Sequence, residues 1–287
     1  MKTSSYPNIL HIWNTANIAS ELAYFMGDGH QVVARRRIDH YRMANIHENV
    51  SETAFPFGSD KFDILWFYLM VCIRQLGVNL LHVHGSNIMK HLRRVSSVPY
   101  ILHYHGVDCR NSSPTSRAPL EEGAKAIIVA TPDLLEYEFA KKPHYLPTII
   151  NRELFAPRDI PSNNRGLINL TPNQDIQETM SRLSEYGFGD VEWEIVQRQY
   201  DTTKRQHRVM YKDMAAHLAQ YEYYSGLAWD GITRIWCKPD SKTALEAMSL
   251  GVKVVRYDGS VSSSLPARHY PENVIPKLRT IYDSVMI

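Results

Sequence analysis

The chain has 287 residues, 44% hydrophobic and 22% charged, with 32 basic against 30 acidic side chains and a net charge of +2. That composition supports folded cores and excludes disorder and collagen-like repeats, and the near-balance of charge gives no electrostatic reason for a nucleic-acid partner. At roughly 100–200 residues per domain, the length points to two domains.

In chain order, Asn8-Ile-Leu-His-Ile-Trp13 reads as a buried strand, and Ile18, Leu22 and Phe25 space out one helical face that stops at Gly27-Asp-Gly29. Gln31 to Ala34 is a second strand. A helix around Ile64 to Gln75, a strand Leu80 to His84, a helix near Ile88 to Arg94, and strands Tyr100 to His103 and Ala126 to Val129 follow. Strands alternating with helices mean parallel βαβ units and a Rossmann-like sheet covered on both faces. Phe155 to Gly166 is rich in proline, asparagine and serine without periodicity, which reads as a linker, and the domain boundary is placed there, at 157/158.

Alternation then resumes. It gives a strand Leu167 to Leu170, a helix Gln174 to Glu185, a strand Glu192 to Val196, and an amphipathic helix through Met210, Met214, Leu218 and Tyr221. A strand Ile232 to Cys237, a helix Thr243 to Leu250 and a strand Val252 to Val255 complete a second βα sheet over 158–270. Pro271 to Met286 is a closing helix with Val274, Ile275, Leu278, Ile281 and Val285 near one face. The expected fold is α/β, with two Rossmann-like βαβ domains facing a cleft.

Cys72, Cys109 and Cys237 lack C-x-x-C spacing and an even framework, which points to a reducing compartment. The start, Met1 to Pro7, lacks a signal-peptide h-region. The longest apolar run, Ile64 to Ile73, is about half of a membrane span. A cytoplasmic protein is expected. Lys204, Arg205, His207 and Arg208, with tyrosines downstream, raise peripheral contact with an anionic membrane, although such a run is more often a solvated helix face.

Two regions carry chemistry. His82, His84, His103 and His105 lie within 24 residues at strand ends, followed by Asp108, Cys109 and Arg110. Imidazoles two apart on a strand share a face and can ligate zinc together. With no H-E-x-x-H and no further ligand spacing, the preferred reading is two core histidines and two that bind a polar substrate, with no metal. Cys109 is read as packing. The second region is Lys238-Pro-Asp-Ser-Lys-Thr-Ala-Leu-Glu246. A helix starting near Ser241 to Thr243 presents N–H groups and the positive dipole end to an anion, with Lys238 and Lys242 beside it. Against that, Asp240 or Thr243 can simply cap the helix, and Thr243 with Glu246 fits a capping box.

The ordered set Gly29-His-Gln-Val-Val33, the His82 and His84 segment, His105-Gly-Val-Asp108, Tyr145-Leu-Pro-Thr-Ile-Ile-Asn151 with Glu153-Leu-Phe155, and Ala244-Leu-Glu-Ala-Met-Ser-Leu-Gly-Val-Lys-Val-Val255 resembles GT-B glycosyltransferases of the retaining family 4. The closing helix is similar to the one that, in this family, crosses back to the first domain. The resemblance implies metal-independent, retaining transfer of a sugar from a UDP- or GDP-linked donor, without other cofactor, to a glycan, lipid-linked or protein acceptor. It places the donor mainly on the second domain and the acceptor mainly on the first. Glu246 matches the second glutamate of the family's E-x7-E motif, which holds the ribose; Lys238 stands where the first glutamate is found. Asn14-Thr-Ala-Asn17 stands where the family has a glycine-rich loop, with Asn14 and Thr15 as donor contacts beside Ser241 and Thr243. His105, Lys238 and Lys242 are the catalytic candidates, and His84, Asp108 and Arg110 the acceptor candidates. A sugar- or partner-binding protein without turnover and a sugar-nucleotide epimerase are the alternatives.

Overall fold

A computed structural model of the chain describes residues 7–35, 47, 50–53, 60–92, 96–170, 174–197, 209, 211–230 and 235–286. These divide into two compact units, one formed by Met1–Ile149 with Pro271–Ile287 and the other by Ile150–Tyr270.

The first unit runs β1 (Ile9–Ile12), α1 (Ile18–Met26), β2 (His30–Arg35), β3 (Val50–Thr53), α2 (Asp60–Arg74), β4 (Leu80–His84), α3 (Ser86–Leu92), β5 (Tyr100–Tyr104), α4 (Val107–Arg110), α5 (Pro114–Gly123), β6 (Ala126–Val129) and β7 (His144–Tyr145). Its sheet has the order β3-β2-β1-β4-β5-β6-β7 with every pair parallel. This is the doubly wound Rossmann order, with its switch point between β1 and β4, where ligands bind outside the carboxyl ends of the strands.

Side-chain alternation sorts the core into two layers. Leu10, Ile12, Leu81, Val83, Leu102 and Tyr104 pack with Phe67 and Val71 of α2 and Met89 and Leu92 of α3. On the other face Ile9, Leu80, Ile101 and Ile128 meet Ile18, Leu22 and Met26 of α1. α1 ends where Gly27 takes a positive φ of 84° and its N–H closes on the Ala23 carbonyl.

The second unit runs β8 (Arg165–Leu170), α6 (Ile176–Glu185), β9 (Glu192–Gln197), α7 (Met214–Leu218), β10 (Tyr223–Ser225), β11 (Trp229–Asp230), β12 (Ile235–Trp236), α8 (Lys242–Leu250), β13 (Lys253–Val255) and β14 (Val261–Ser262). Its sheet order is β14-β13-β10-β8-β9, parallel except for β14. α9 (Pro271–Met286) then returns to the first unit, where Val274, Leu278, Ile281 and Tyr282 join the layer under α1. At about 1.5–3 kcal/mol for each large apolar side chain buried, this is a strong anchor. Both units are Rossmann-like α/β sheets, as the GT-B resemblance implies. Among the described residues no helix is long and apolar enough to cross a membrane.

Several sequence expectations need correction. The units divide at 149/150 rather than at 157/158, because the proline-rich stretch is packed down. Phe155 is buried, its carbonyl accepts from Ser249 Oγ at 2.7 Å, and Arg158 N–H donates to the Leu250 carbonyl at 3.0 Å. Among the described residues, the amphipathic helix expected through Tyr221 is the short α7, led in by a 3-10 turn at Tyr211–Asp213, and Tyr223–Ser225, to which the sequence pattern assigns no element, is a central strand. The strand expected over 232–237 is represented by β12, which pairs antiparallel with β11 outside the main sheet. Residues 232–234, Met210 and the basic run at 204, 205, 207 and 208 lie outside the described residues.

Candidate functional site

In the first unit the sheet face under α1 and α9 turns from aliphatic to imidazole toward the strand ends. His11 follows Ile9, His82 and His84 follow Leu80, and His103 follows Ile101 on that face, the alternation that a strand imposes. Parallel register sets His11 beside His82 and His84 beside His103. His30, at the start of β2, and His105, just beyond β5, extend the row in opposite directions.

Four rings connect head to tail. His30 Nδ1 lies 3.1 Å from His11 Nε2, His11 Nδ1 lies 3.2 Å from His84 Nε2, and His84 Nδ1 lies 3.0 Å from His105 Nε2. Each contact joins an Nδ1 to an Nε2, so one neutral tautomer, Nδ1–H, satisfies all three. A branch links His103 Nδ1 to His82 Nε2 at 3.1 Å and His82 Nδ1 to the Tyr282 hydroxyl of α9 at 2.7 Å. Burial holds the rings neutral. It pushes His11, His82, His84 and His103 well below the ordinary imidazole value, His30 to about 4 and His105 to about 3.

A cavity of about 870 Å³ in this unit is lined by Trp13, Thr15, Tyr68, His84, His105 and Asp108, among others. It includes the ends of β1 and β4, the sheet's switch point. Asp108 Oδ1 accepts the backbone N–H groups of His105, Gly106 and Cys109 at 2.9–3.1 Å, which fixes the turn carrying His105. Its Oδ2 is buried without a hydrogen-bond partner, and desolvation raises the carboxyl pKa. Cys109 is fully buried in the core, with its thiol pushed up to about 12 by burial, so it is packing. Arg110 is held by Asp133, with Nη2 at 2.6 Å and Nε at 3.0 Å.

The loop after β1 reaches a glycine-like shape without glycine. Trp13, Ala16 and Asn17 have φ of 75°, 48° and 61°. Asn14 stabilises this turn. Its Oδ1 accepts the Ser20 N–H and its Nδ2 donates to Ser20 Oγ at 2.8 Å, while Asn17 Nδ2 donates to the buried Glu21 carboxylate. Asn14 is thus occupied with α1, whereas Thr15 lines the cavity.

In the second unit Ser241, not Asp240 or Thr243, caps α8, its Oγ accepting from Ala244 N at 3.2 Å. No acidic residue lies in the first turn, so the positive dipole end there is not met by a carboxylate. Glu246 is buried on the Tyr211 side, and its Oε1 accepts from the Tyr211 hydroxyl at 2.7 Å. Lys242 Nζ donates to that hydroxyl at 2.9 Å and lies 3.3 Å from Glu246 Oε1. Asp240 forms a two-point pair with Arg256, at 2.7 and 3.0 Å, and Lys238 is exposed.

The structure therefore gathers Thr15, His84, His105 and Asp108 at one cavity, and Ser241, Lys242, Thr243 and Glu246 at the start of α8. Asn14 and Arg110 support neighbouring loops. Sequence reasoning missed His11, His30, Tyr211, Arg256 and Tyr282. Matching parity of histidines on neighbouring parallel strands would have found the first two.

No protein-family model matches the chain, and no curated protein matches it by sequence. Its fold is similar to that of Anabaena HepE. Against the complex with UDP-glucose the TM-score is 0.54 at 10% identity, covering 87% of this chain and 80% of that one. Against the complex with UDP and glucose it is again 0.54 at 10% identity, covering 98% and 92%.

Proposed function

We propose that the chain is a glycosyltransferase that moves a sugar from a nucleotide-diphosphate sugar to the hydroxyl of a glycan, lipid-linked or protein acceptor, with retention. The observation that carries this reading is the two-unit fold shared with HepE, a protein solved with UDP-glucose and with UDP and glucose. The start of α8 supports it, since a capped helix N-terminus with Lys242 beside it suits a diphosphate. Charge that develops on the leaving diphosphate is stabilised by that dipole and by Lys242 and Lys238, each such preorganised contribution worth about 3 kcal/mol. Glu246 holds the ribose, His105 positions the transferred sugar, and Asp108 and His84 face the acceptor.

A thermal-shift panel of UDP, GDP, ADP and their sugars, followed by a nucleotide-release assay with simple glycan acceptors, tests the proposal. A raised melting temperature with one nucleotide class and release of that diphosphate are expected. If no nucleotide raises the melting temperature and none is released, the reading fails. A sugar-binding protein without turnover is the second reading, favoured by Lys238 at the first-glutamate position and by the closure of Lys242 on Glu246. Its signature is nucleotide-sugar binding with no release.

A further inference from the structure

We propose that His84, His103 and His105 form a binding site for a first-row transition-metal dication of the zinc class, with an open coordination position toward the cavity of the first unit. One nitrogen from each ring lies within 4.8 Å of the others. His84 Nδ1 and His105 Nε2 are 3.0 Å apart, close to the spacing of about 3.3 Å that tetrahedral Zn–N bonds impose. Imidazole is a ligand that zinc, copper and nickel accept readily, and three histidines with one open position are a recurrent zinc arrangement.

A second triad, His11, His82 and His84, also converges, but the hydrogen bonding favours the outer one. Both nitrogens of His11 and both of His82 are engaged by neighbours. His103 Nε2, the nitrogen that this ring offers to the ion, has no hydrogen-bond partner although it is buried. His84 and His105 also line the cavity, which gives an ion an entry path and a place for a fourth ligand such as water. Asp108 Oδ2, buried and without a hydrogen-bond partner, offers a further oxygen at the same cavity.

The remaining histidines fit as the outer layer that metal-bound imidazoles require. His103 keeps Nδ1–H on His82, leaving Nε2 for the ion. For His84 to ligate through Nδ1, its proton moves to Nε2 and is donated to His11 Nδ1. His11 then donates from Nε2 to His30 Nδ1, and His30 carries its proton on Nε2. The chain reverses its direction with no net loss of protons. The site stands whether or not the chain transfers sugar.

The test uses full-length protein without a histidine tag, stripped with a chelator. It is titrated with Zn2+ against a chromophoric competitor, and with Co2+ by visible absorption. One equivalent of Zn2+ with a raised melting temperature, and the intense d–d bands of a low-symmetry Co2+ site, are expected. His103→Leu and His105→Gln should each weaken Zn2+ binding by more than about 100-fold, since even outer partners of metal ligands contribute 10- to 100-fold. His144→Ala, at an exposed histidine on β7, should change nothing. Circular dichroism checks folding of each variant; where one fails to fold, the wild-type Co2+ spectrum decides. Absence of stoichiometric binding, binding undiminished in the folded variants, a Co2+ spectrum of octahedral type, or loss on His11→Asn with retention on His105→Gln would each overturn the proposal.

Discussion

Lys242 Nζ lies 3.3 Å from Glu246 Oε1, one turn along α8, and both groups converge on the Tyr211 hydroxyl. The pair is buried, so removing one member strands the other charge. Lys242→Met should cost about 3 kcal/mol in urea unfolding, and adding Glu246→Gln should restore most of it. A double-mutant coupling below about 0.5 kcal/mol would show the two groups to be independent. A turnover assay on Lys242→Met alone therefore mixes lost stability with lost catalysis, so it is read only where circular dichroism shows the variant folded.

Ala16 has φ 48° and ψ 36°, the left-handed region that a Cβ disfavours. Ala16→Gly should raise stability by about 0.5–1 kcal/mol, because glycine adopts this region without steric cost. The measurement is the urea midpoint at unchanged slope. A lower midpoint would mean that the Ala16 methyl makes packing contacts worth more than the strain.

Gly106 is constrained twice. Its φ is 132°, and a Cβ there would meet Arg110 Nη1 at 2.6 Å, while Arg110 is pinned by Asp133. Gly106→Ala should cost about 1–3 kcal/mol and shift the turn that presents His105. Loss of stability with displaced His105 ring resonances in NMR is expected. Adding Arg110→Ala should recover only the steric part and leave the backbone cost.

The fold was legible wherever an apolar run coincided with a strand buried on both faces. β1, β4, β6 and β8 announce themselves in this way, and α9 does so by its 3.6-residue spacing. Tyr223–Ser225 did not, because three residues are too few to show an alternation and the helical spacing read from Met214, Leu218 and Tyr221 ran up to its edge. The site was half legible. His82, His84, His103 and His105 form two H-x-H pairs that one short window contains. Their partners are single histidines on other strands and Tyr282, 200 residues away from His82, which only sheet register brings together. Buried pairing hides in the same way. Arg117 and Glu121 look like a solvated i,i+4 pair, yet both are about 1% exposed and bonded to Tyr104, the Cys109, Ser112 and Glu138 carbonyls and the Ala140 N–H.

His30 makes the fold sensitive to acid in a way that can be measured. Burial, together with the positive charge of Arg279, brings its pKa from 6.5 to about 4, and it faces His11 from β1 and Tyr282 from α9. The unfolded chain therefore binds more protons than the folded one between these values. The stability is fully present above pH 6.5 and is lost as the pH falls toward 4, by on the order of 3 kcal/mol at 1.36 kcal/mol per unit. His30→Phe in the chelator-stripped protein should flatten the fall in urea-unfolding stability between pH 6.5 and 4 by about one proton's worth of slope. An unchanged slope would mean that His30 already takes up its proton in the folded state, with Arg279 moved away.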